Sequence, residues 1–207
     1  MDNQYQTLRA DIYLLLSTLF RQAPRPELIE FLSTLDIEAE DSIMQQAWTS
    51  IRQAARECEL ESVSEEYQNL FIGIGRGEAV LFGSWHMTGS LMEKPLALLR
   101  HDLQELGYER GENVKEPEDH ISALCEVMAL LAQGDEDVQQ KFFNDHIAPW
   151  YPSFTQQVSE AKHAKFYIPA AELLNAFLHI EQVRFSEKVS GAKSKLNINV
   201  NNISNSL

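Results

Sequence analysis

The sequence predicts an all-α fold, a single-domain helical bundle of about eight helices. Three observations predict it. Apolar residues recur three and four positions apart along nearly the whole chain, the period of a helix with one buried face. Prolines and glycines fall between these stripes rather than within them. Strand-like alternation is confined to a weak pattern near the C-terminus. With 207 residues, 44% of them hydrophobic, the chain suits one compact domain with a substantial core.

Leu8, Ile12, Leu15, Leu16, Leu19 and Phe20 form the first stripe. Pro24 and Pro26 break the chain. Pro26 opens a short helix through Leu28, Phe31 and Leu32, since a proline in the first turn removes only a donor that has no partner there. Ile43, Ala47, Ile51, Ala54, Ala55 and Cys58 mark a third helix. Ser62 and Glu65 read as a capping box ahead of Val63, Tyr67, Leu70, Phe71 and Ile74. Gly73, Gly75 and Gly77 stop that helix. A loop then runs to about Gly89 and carries Leu81, Phe82, Gly83, Ser84 and Trp85; long loops that keep large apolar side chains are often functional.

Ser90 to Leu106 reads as a helix, with Pro95 in its first turn, the stripe Leu96, Leu99, Leu103 and Leu106, and Gly107 as its stop. Tyr108 to Lys115 is polar and loop-like. Pro117 opens a helix with Ile121, Leu124, Cys125, Met128 and Leu131 on its apolar face, ending by Gly134. Asp135 caps a helix bearing Val138 and Phe142. Pro149 restarts the chain into Trp150, Phe154 and Val158, and Pro169 opens the last helix, with Leu173, Leu174, Phe177, Leu178 and Ile180. The helical domain therefore covers residues 1–189. Residues 190–207, rich in Asn, Ser and Lys, are expected to be a disordered tail.

The net charge of −14 argues against nucleic acid, because phosphate binding needs a basic surface. It argues equally against an anionic membrane face and would steer a basic partner inward. No stretch approaches the roughly 18 apolar residues of a membrane span, and the polar start Met1-Asp2-Asn3-Gln4 lacks the form of a secretory signal. Cys58 and Cys125 lie in apolar helical patterns and read as buried reduced thiols, so a cytoplasmic location is expected.

The densest polar feature is Glu116-Pro117-Glu118-Asp119-His120, read at the start of an apolar helix. Carboxylates in a first turn complement the helix dipole by about 0.3–1 kcal/mol each, and His120 could simply bond nearby backbone. The same cluster could grip a basic partner. Tyr67, Leu70 and Phe71 share a helix face, which suits either core packing or one wall of a peptide groove with Phe82 and Trp85. Gly73-Ile74-Gly75-Arg76-Gly77 is glycine-rich, but no strand precedes it and no lysine follows, so it is a weak phosphate cradle. No GxxxxGK[ST], HExxH, CxxC or GxSxG pattern occurs. Asp119 and His120 could supply two metal ligands, but adjacent helical residues point about 100° apart, and no metal is expected.

Glu116-Pro117-Glu118-Asp119-His120 resembles the EPxDH element of the TorD/DmsD family of redox enzyme maturation proteins. Tyr67-Gln68-Asn69-Leu70-Phe71-Ile72-Gly73, followed by a loop reaching Gly83-Ser84, resembles that family's aromatic-x-x-LFxG…GS element. His146 to Trp150, Phe154 and Phe166-Tyr167 resemble its C-terminal helices, extending the likeness over about residues 8–185. The chain departs from the pattern where Ala79-Val80-Leu81-Phe82 replaces a two-proline segment, and where His86 stands at a position that tends to be aromatic.

The resemblance implies a cytoplasmic chaperone, not an enzyme. Such a chaperone binds the twin-arginine signal peptide and apo form of a DMSO/TMAO reductase-type molybdoenzyme precursor, and holds it for molybdenum cofactor insertion before export. The peptide-binding residues it implies are Tyr67, Leu70, Phe71, Leu81, Phe82, Glu118, Asp119 and His120, with Gly73, Gly83, Ser84, Trp85 and Pro117 shaping the loops. No resident cofactor is implied; guanine nucleotide or molybdopterin are the contacts such a role would allow. The alternatives are an assembly chaperone for a cytoplasmic molybdoenzyme such as nitrate reductase, and a nucleotide or metal hydrolase. A monomer is expected, or a domain-swapped dimer hinged at Gly73 to Gly77.

Overall fold

The computed structural model describes residues 2–38, 41–73, 77–111 and 114–187. The expected tail, and Ile74, Gly75 and Arg76 of the glycine-rich segment, lie outside the described residues. Among the described residues there are ten α-helices: α1 Asp2–Arg21, α2 Pro26–Ser33, α3 Ile43–Glu57, α4 Leu60–Tyr67, α5 Gly83–Thr88, α6 Lys94–Glu105, α7 Ile121–Leu131, α8 Glu136–His146, α9 Tyr151–Glu160 and α10 Tyr167–Glu187. A π-helical turn, Gln68–Ile72, follows α4 directly. The described residues contain no strand, only an isolated antiparallel bridge between Phe82 and His120.

The bundle is organised by α1 against α7, and by α10 against α3 and α9. Tyr13, Leu16, Leu19, Phe20, Phe154 and Tyr167 meet at its centre with essentially no exposure. Fully burying such a side chain contributes about 1.5–3 kcal/mol. Edge-on ring pairs link three elements there: Tyr13 to Phe177 at 4.7 Å and Phe20 to Phe154 at 5.5 Å.

The first stripe is rotated from its expected place. Leu8 is 54% exposed, whereas Arg9 and Ser17 are buried beside Ala10, Tyr13 and Leu16. Polar side chains occupy the inner face because α10 and α7 supply partners. Glu181 accepts from Arg9 Nε at 2.8 Å and from Tyr13 OH at 2.9 Å, and Ser17 Oγ meets Ser122 Oγ at 3.1 Å.

Several expected boundaries move. The Ser62–Glu65 box does not cap: α4 begins at Leu60, with Glu59 as its N-cap. Pro117 does not open a helix. Residues 117–120 form a tight turn closed by His120 N–H to Pro117 C=O (3.2 Å), and α7 starts at Ile121. Glu118 and Asp119 therefore lie outside the first helical turn that was to favour them. The helix expected from Ser90 starts at Lys94, because Gly89 (φ 80°) and Met92 (φ 59°) adopt left-handed conformations. The helix count exceeds eight chiefly because α5 forms inside the expected loop. Cys58 is half-buried at the end of α3 rather than within it.

Other signals hold. Pro26 is in the first turn of α2, Pro95 in that of α6, and Asp135 Oδ1 accepts from Asp137 N–H at 2.8 Å to cap α8. At the end of α6, Gly107 N–H donates to Gln104 C=O (3.0 Å) and Tyr108 N–H to Leu103 C=O (2.9 Å), the paired bonds of a glycine stop.

Candidate functional site

The first wall of the site is α4 and its π-helical turn. Gly73 N–H donates to Gln68 C=O at 2.8 Å, spanning five residues instead of four. The wider turn changes which face each side chain meets. Leu70 is completely buried, Tyr67 is 5% exposed and Phe71 is half-buried. It also leaves the Leu70 carbonyl without a helical partner, and Ala79 N–H fills it at 2.9 Å. A Cβ on Gly77 would fall 2.3 Å from that carbonyl oxygen, so only glycine fits. Tyr67 OH donates to the last carbonyls of α1, those of Arg21 (2.9 Å) and Phe20 (3.3 Å). Burial, and then the charge of Glu116, pushes this phenol up to about 12. Phe71 packs on Tyr67 at 5.1 Å and edge-on to Tyr167 at 5.0 Å.

The second wall joins residues 81–84 to the turn before α7. Ile121 N–H donates to Leu81 C=O and Gly83 N–H to Asp119 C=O, both at 2.9 Å. These bonds flank the Phe82–His120 bridge, whose rings meet edge-on at 5.2 Å. Asp119 Oδ2 accepts Ser84 N–H at 2.8 Å. The carboxylate thus latches α5 onto the start of α7. Asp119 Oδ1 and Ser84 Oγ are both buried and have no protein partner among the described residues. Gly83 must be glycine, because a Cβ would lie 2.8 Å from Trp150 Nε1. That indole in turn donates to His146 C=O at 2.6 Å. Trp85, half-buried, stands edge-on to His86, and His86 stacks on Trp150 at 5.2 Å.

His120 is the N-cap of α7. Its Nδ1 accepts Ser122 N–H at 3.1 Å, which leaves the proton of the neutral ring on Nε2. Burial lowers its pKa to about 4, so the imidazole is uncharged at neutral pH. Glu118 is already engaged by cations of this chain: Arg100 Nε at 2.9 Å and Arg110 Nε at 3.7 Å.

The residues singled out in the sequence come together. His120 touches Phe82. Ser122, which His120 caps, accepts from Arg21 Nε at 3.2 Å, and Tyr67 holds the Arg21 carbonyl. Phe71 lies 6.2 Å from Phe20, one residue away. They divide by exposure, however. Tyr67, Leu70, Leu81, Asp119 and His120 are buried, while Phe71, Phe82 and Glu118 are partly open. Sequence reasoning missed Arg21, Ser122 and Gly77. The first two sit on helices read as plain core stripes, and Gly77 was read as part of a helix stop and hinge rather than as a close approach to the Leu70 carbonyl.

As metal ligands the pair does not converge: one Asp119 oxygen and His120 Nδ1 each accept a backbone N–H. Among the described residues no group of three or more His, Cys, Asp or Glu side chains is arranged to hold a metal.

Comparison with known proteins places this geometry in a family. Residues 37–156 match the family model described as nitrate reductase delta subunit. The chain is 29% identical over 109 residues to a probable Tat proofreading chaperone DmsD of Haemophilus influenzae, covering 52% of this chain and 54% of that protein. It is 23% identical over 199 residues to the chaperone protein TorD of Vibrio parahaemolyticus, covering 84% of this chain and 92% of that protein. The TorD of a Vibrio cholerae strain is 26% identical over 196 residues, with 82% and 88% covered. A crystal structure of a protein described as a redox enzyme maturation protein from Archaeoglobus fulgidus superposes with a TM-score of 0.55, at 20% identity, over 84% of this chain and 93% of that one. That likeness shows a shared fold.

Proposed function

The chain belongs to the TorD/DmsD family of redox enzyme maturation proteins, and from that premise we propose that it is a cytoplasmic chaperone, not an enzyme, for an exported molybdoenzyme of the DMSO/TMAO reductase type. In this reading it binds the twin-arginine signal peptide and the apo precursor, and delays export until the molybdenum cofactor is inserted. Curated relatives named as chaperones support the general role. No helix among the described residues is long and apolar enough to cross a membrane.

The observation that carries the reading is the convergence of two segments fifty residues apart in sequence, Tyr67–Phe71 and Glu118–His120, through Arg21, Phe82 and Ser122. A twin-arginine leader has a basic start and an apolar middle. The partly open Phe71 and Phe82, with exposed Ile72, suit the apolar part. Glu116 and Glu118 suit the arginines through charge-assisted bonds. Glu118 would exchange Arg100 or Arg110 for a peptide arginine, a like-for-like replacement with small net cost. The buried residues act as scaffold: Asp119 latches α5, His120 caps α7, and Tyr67 ties α4 to α1.

Calorimetric titration with a twin-arginine leader tests the proposal. Binding that drops at least tenfold in Phe82→Ala and Glu118→Gln supports it; no binding to any such leader overturns it. The family description favours a second reading, assembly of a nitrate reductase. Binding to a whole apoenzyme that has no twin-arginine leader would select that one.

A further inference from the structure

A second surface stands apart from this site. Between α1 and the α2–α3 pair lies an open cavity of about 630 Å³, floored by Ile12, Leu15, Leu35, Met44 and Trp48. Leu8 (54% exposed) and Phe31 (52% exposed) stand at its edges. None of Tyr67, Phe71, Phe82, Glu118, Asp119 and His120 lines it, and Ile12 lies roughly 14 Å along α1 from Arg21.

The walls are fixed separately. α1 packs on α7, whereas α3 packs on α2 and α10. Arg52 Nη1 donates to Leu35 C=O at 3.1 Å and Arg56 Nε to Ser33 C=O at 2.8 Å, tying the end of α2 to α3. The trough is therefore preformed, and an apolar patch of this size with a polar rim marks a contact surface.

The rim selects the sign of the partner. Asp11, Asp36 and Glu38 stand exposed around the apolar floor, and no basic residue lines the cavity among the described residues. Glu118 at the other site is engaged by Arg100 and Arg110, but none of these three carboxylates has a cationic partner among the described residues. Uncompensated acids around an apolar floor favour a partner that is apolar on one face and basic beside it. They disfavour an anionic lipid surface and a second copy of a chain with net charge −14.

The walls also select the partner's conformation. All are helices, whose backbone groups bond within themselves, so no strand edge is offered to an extended peptide. A segment buried there has to satisfy its own backbone, which a helix does. Leu8 to Leu15 spans about 10 Å, roughly two turns. An occupant of that length presents apolar side chains at i, i+3, i+4 and i+7.

We propose that the α1–α2–α3 trough docks a basic amphipathic helix of another protein, with the apolar face of that helix on Ile12, Leu15, Met44 and Trp48 and its lysines or arginines against Asp11, Asp36 and Glu38. This holds whether or not the chain binds an export leader at the other site.

A model peptide tests it on the full chain. The probe is a capped helix of about four turns, long enough to form in isolation, built of leucine, alanine and lysine with its leucines on one face. Titrated into isotope-labelled protein, it is expected to shift the Trp48 indole and the Ile12, Leu15 and Met44 methyl signals together, while Phe82 and Leu130 stay still. Asp36→Lys with Glu38→Lys is expected to weaken binding at least tenfold. Leu8→Ser with Phe31→Ser, both exposed and so tolerated by the fold, is expected to do the same. Trough signals that stay still overturn the proposal. Equal binding by a peptide with the leucines scattered, or with glutamate in place of lysine, overturns it too. Trough signals that move with protein concentration alone give the surface to a second copy. A twin-arginine leader that moves the trough signals and leaves Phe82 still gives the surface to the leader, and the proposal of a separate helix site fails.

Discussion

Two buried carboxylates hold this molecule together in opposite ways. Glu181 lies in the middle of α10, and both its oxygens are used, by Arg9 and Tyr13. Asp119 lies in an irregular turn and uses one oxygen, on Ser84 N–H, while the other has no protein partner. Glu66 resembles the first case. It is buried and accepts Lys165, Phe166 and Tyr167 N–H at 2.7–3.1 Å, fixing the start of α10. Carboxylates on regular helices are thus closed into the scaffold, whereas the one at the candidate site keeps capacity in hand. Buried polar groups left half-satisfied are costly and are expected where a protein changes partners.

The largest expected effect is at the buried Arg9–Glu181 pair. Glu181→Ala leaves Arg9 buried and unpaired and should cost about 3–5 kcal/mol in urea unfolding. The double variant Arg9→Met with Glu181→Leu should cost much less, since it removes both charges. Next comes Gly83→Ala, whose added methyl meets the Trp150 ring; it should lose about 1–3 kcal/mol. Asp119→Asn keeps an acceptor for Ser84 N–H and should cost about 1–2 kcal/mol, less than Glu181→Ala. If Asp119→Asn proved as damaging as Glu181→Ala, the contrast between the two carboxylates would fail.

A pH-dependent effect also distinguishes the sites. The His120 pKa falls from 6.5 in the unfolded chain to about 4 in the fold. The unfolded state therefore binds the extra proton between these values. Stability is complete above pH 6.5 and is lost as pH falls toward 4, by up to about 1.4 kcal/mol per unit. His120→Asn keeps a capping side chain and should flatten that slope, read from unfolding midpoints at pH 7, 6 and 5.

Much of this architecture was legible in the sequence, and the misses share a cause. Helical stripes, Pro26, Pro95, Asp135 and Gly107 are local signals, and local signals located most of the helices. The rotation of α1 was not legible, because Arg9 goes inward only once Glu181, 172 residues away, is in place. The π-helical turn and α5 depend on Ala79 reaching Leu70 and on Asp119 reaching Ser84. Pro117 misled for the same reason. A proline before an apolar run marks a helix start or a turn with equal ease, and the Leu81 and Gly83 backbone selects the turn. Two motifs flagged the candidate residues, and the fold brings those residues together. Their division into scaffold and open surface required burial.

The central claim is that Phe71, Phe82 and the turn at Glu118–His120 form one surface that receives a twin-arginine leader. Titrating a leader peptide into isotope-labelled protein tests it most directly. The account predicts that the largest shifts fall together on Phe71, Ile72, Phe82, Glu118 and Ser84, with Arg100 and Arg110 moving as Glu118 changes partner. Shifts confined to helices remote from this surface, with these residues still, would contradict it.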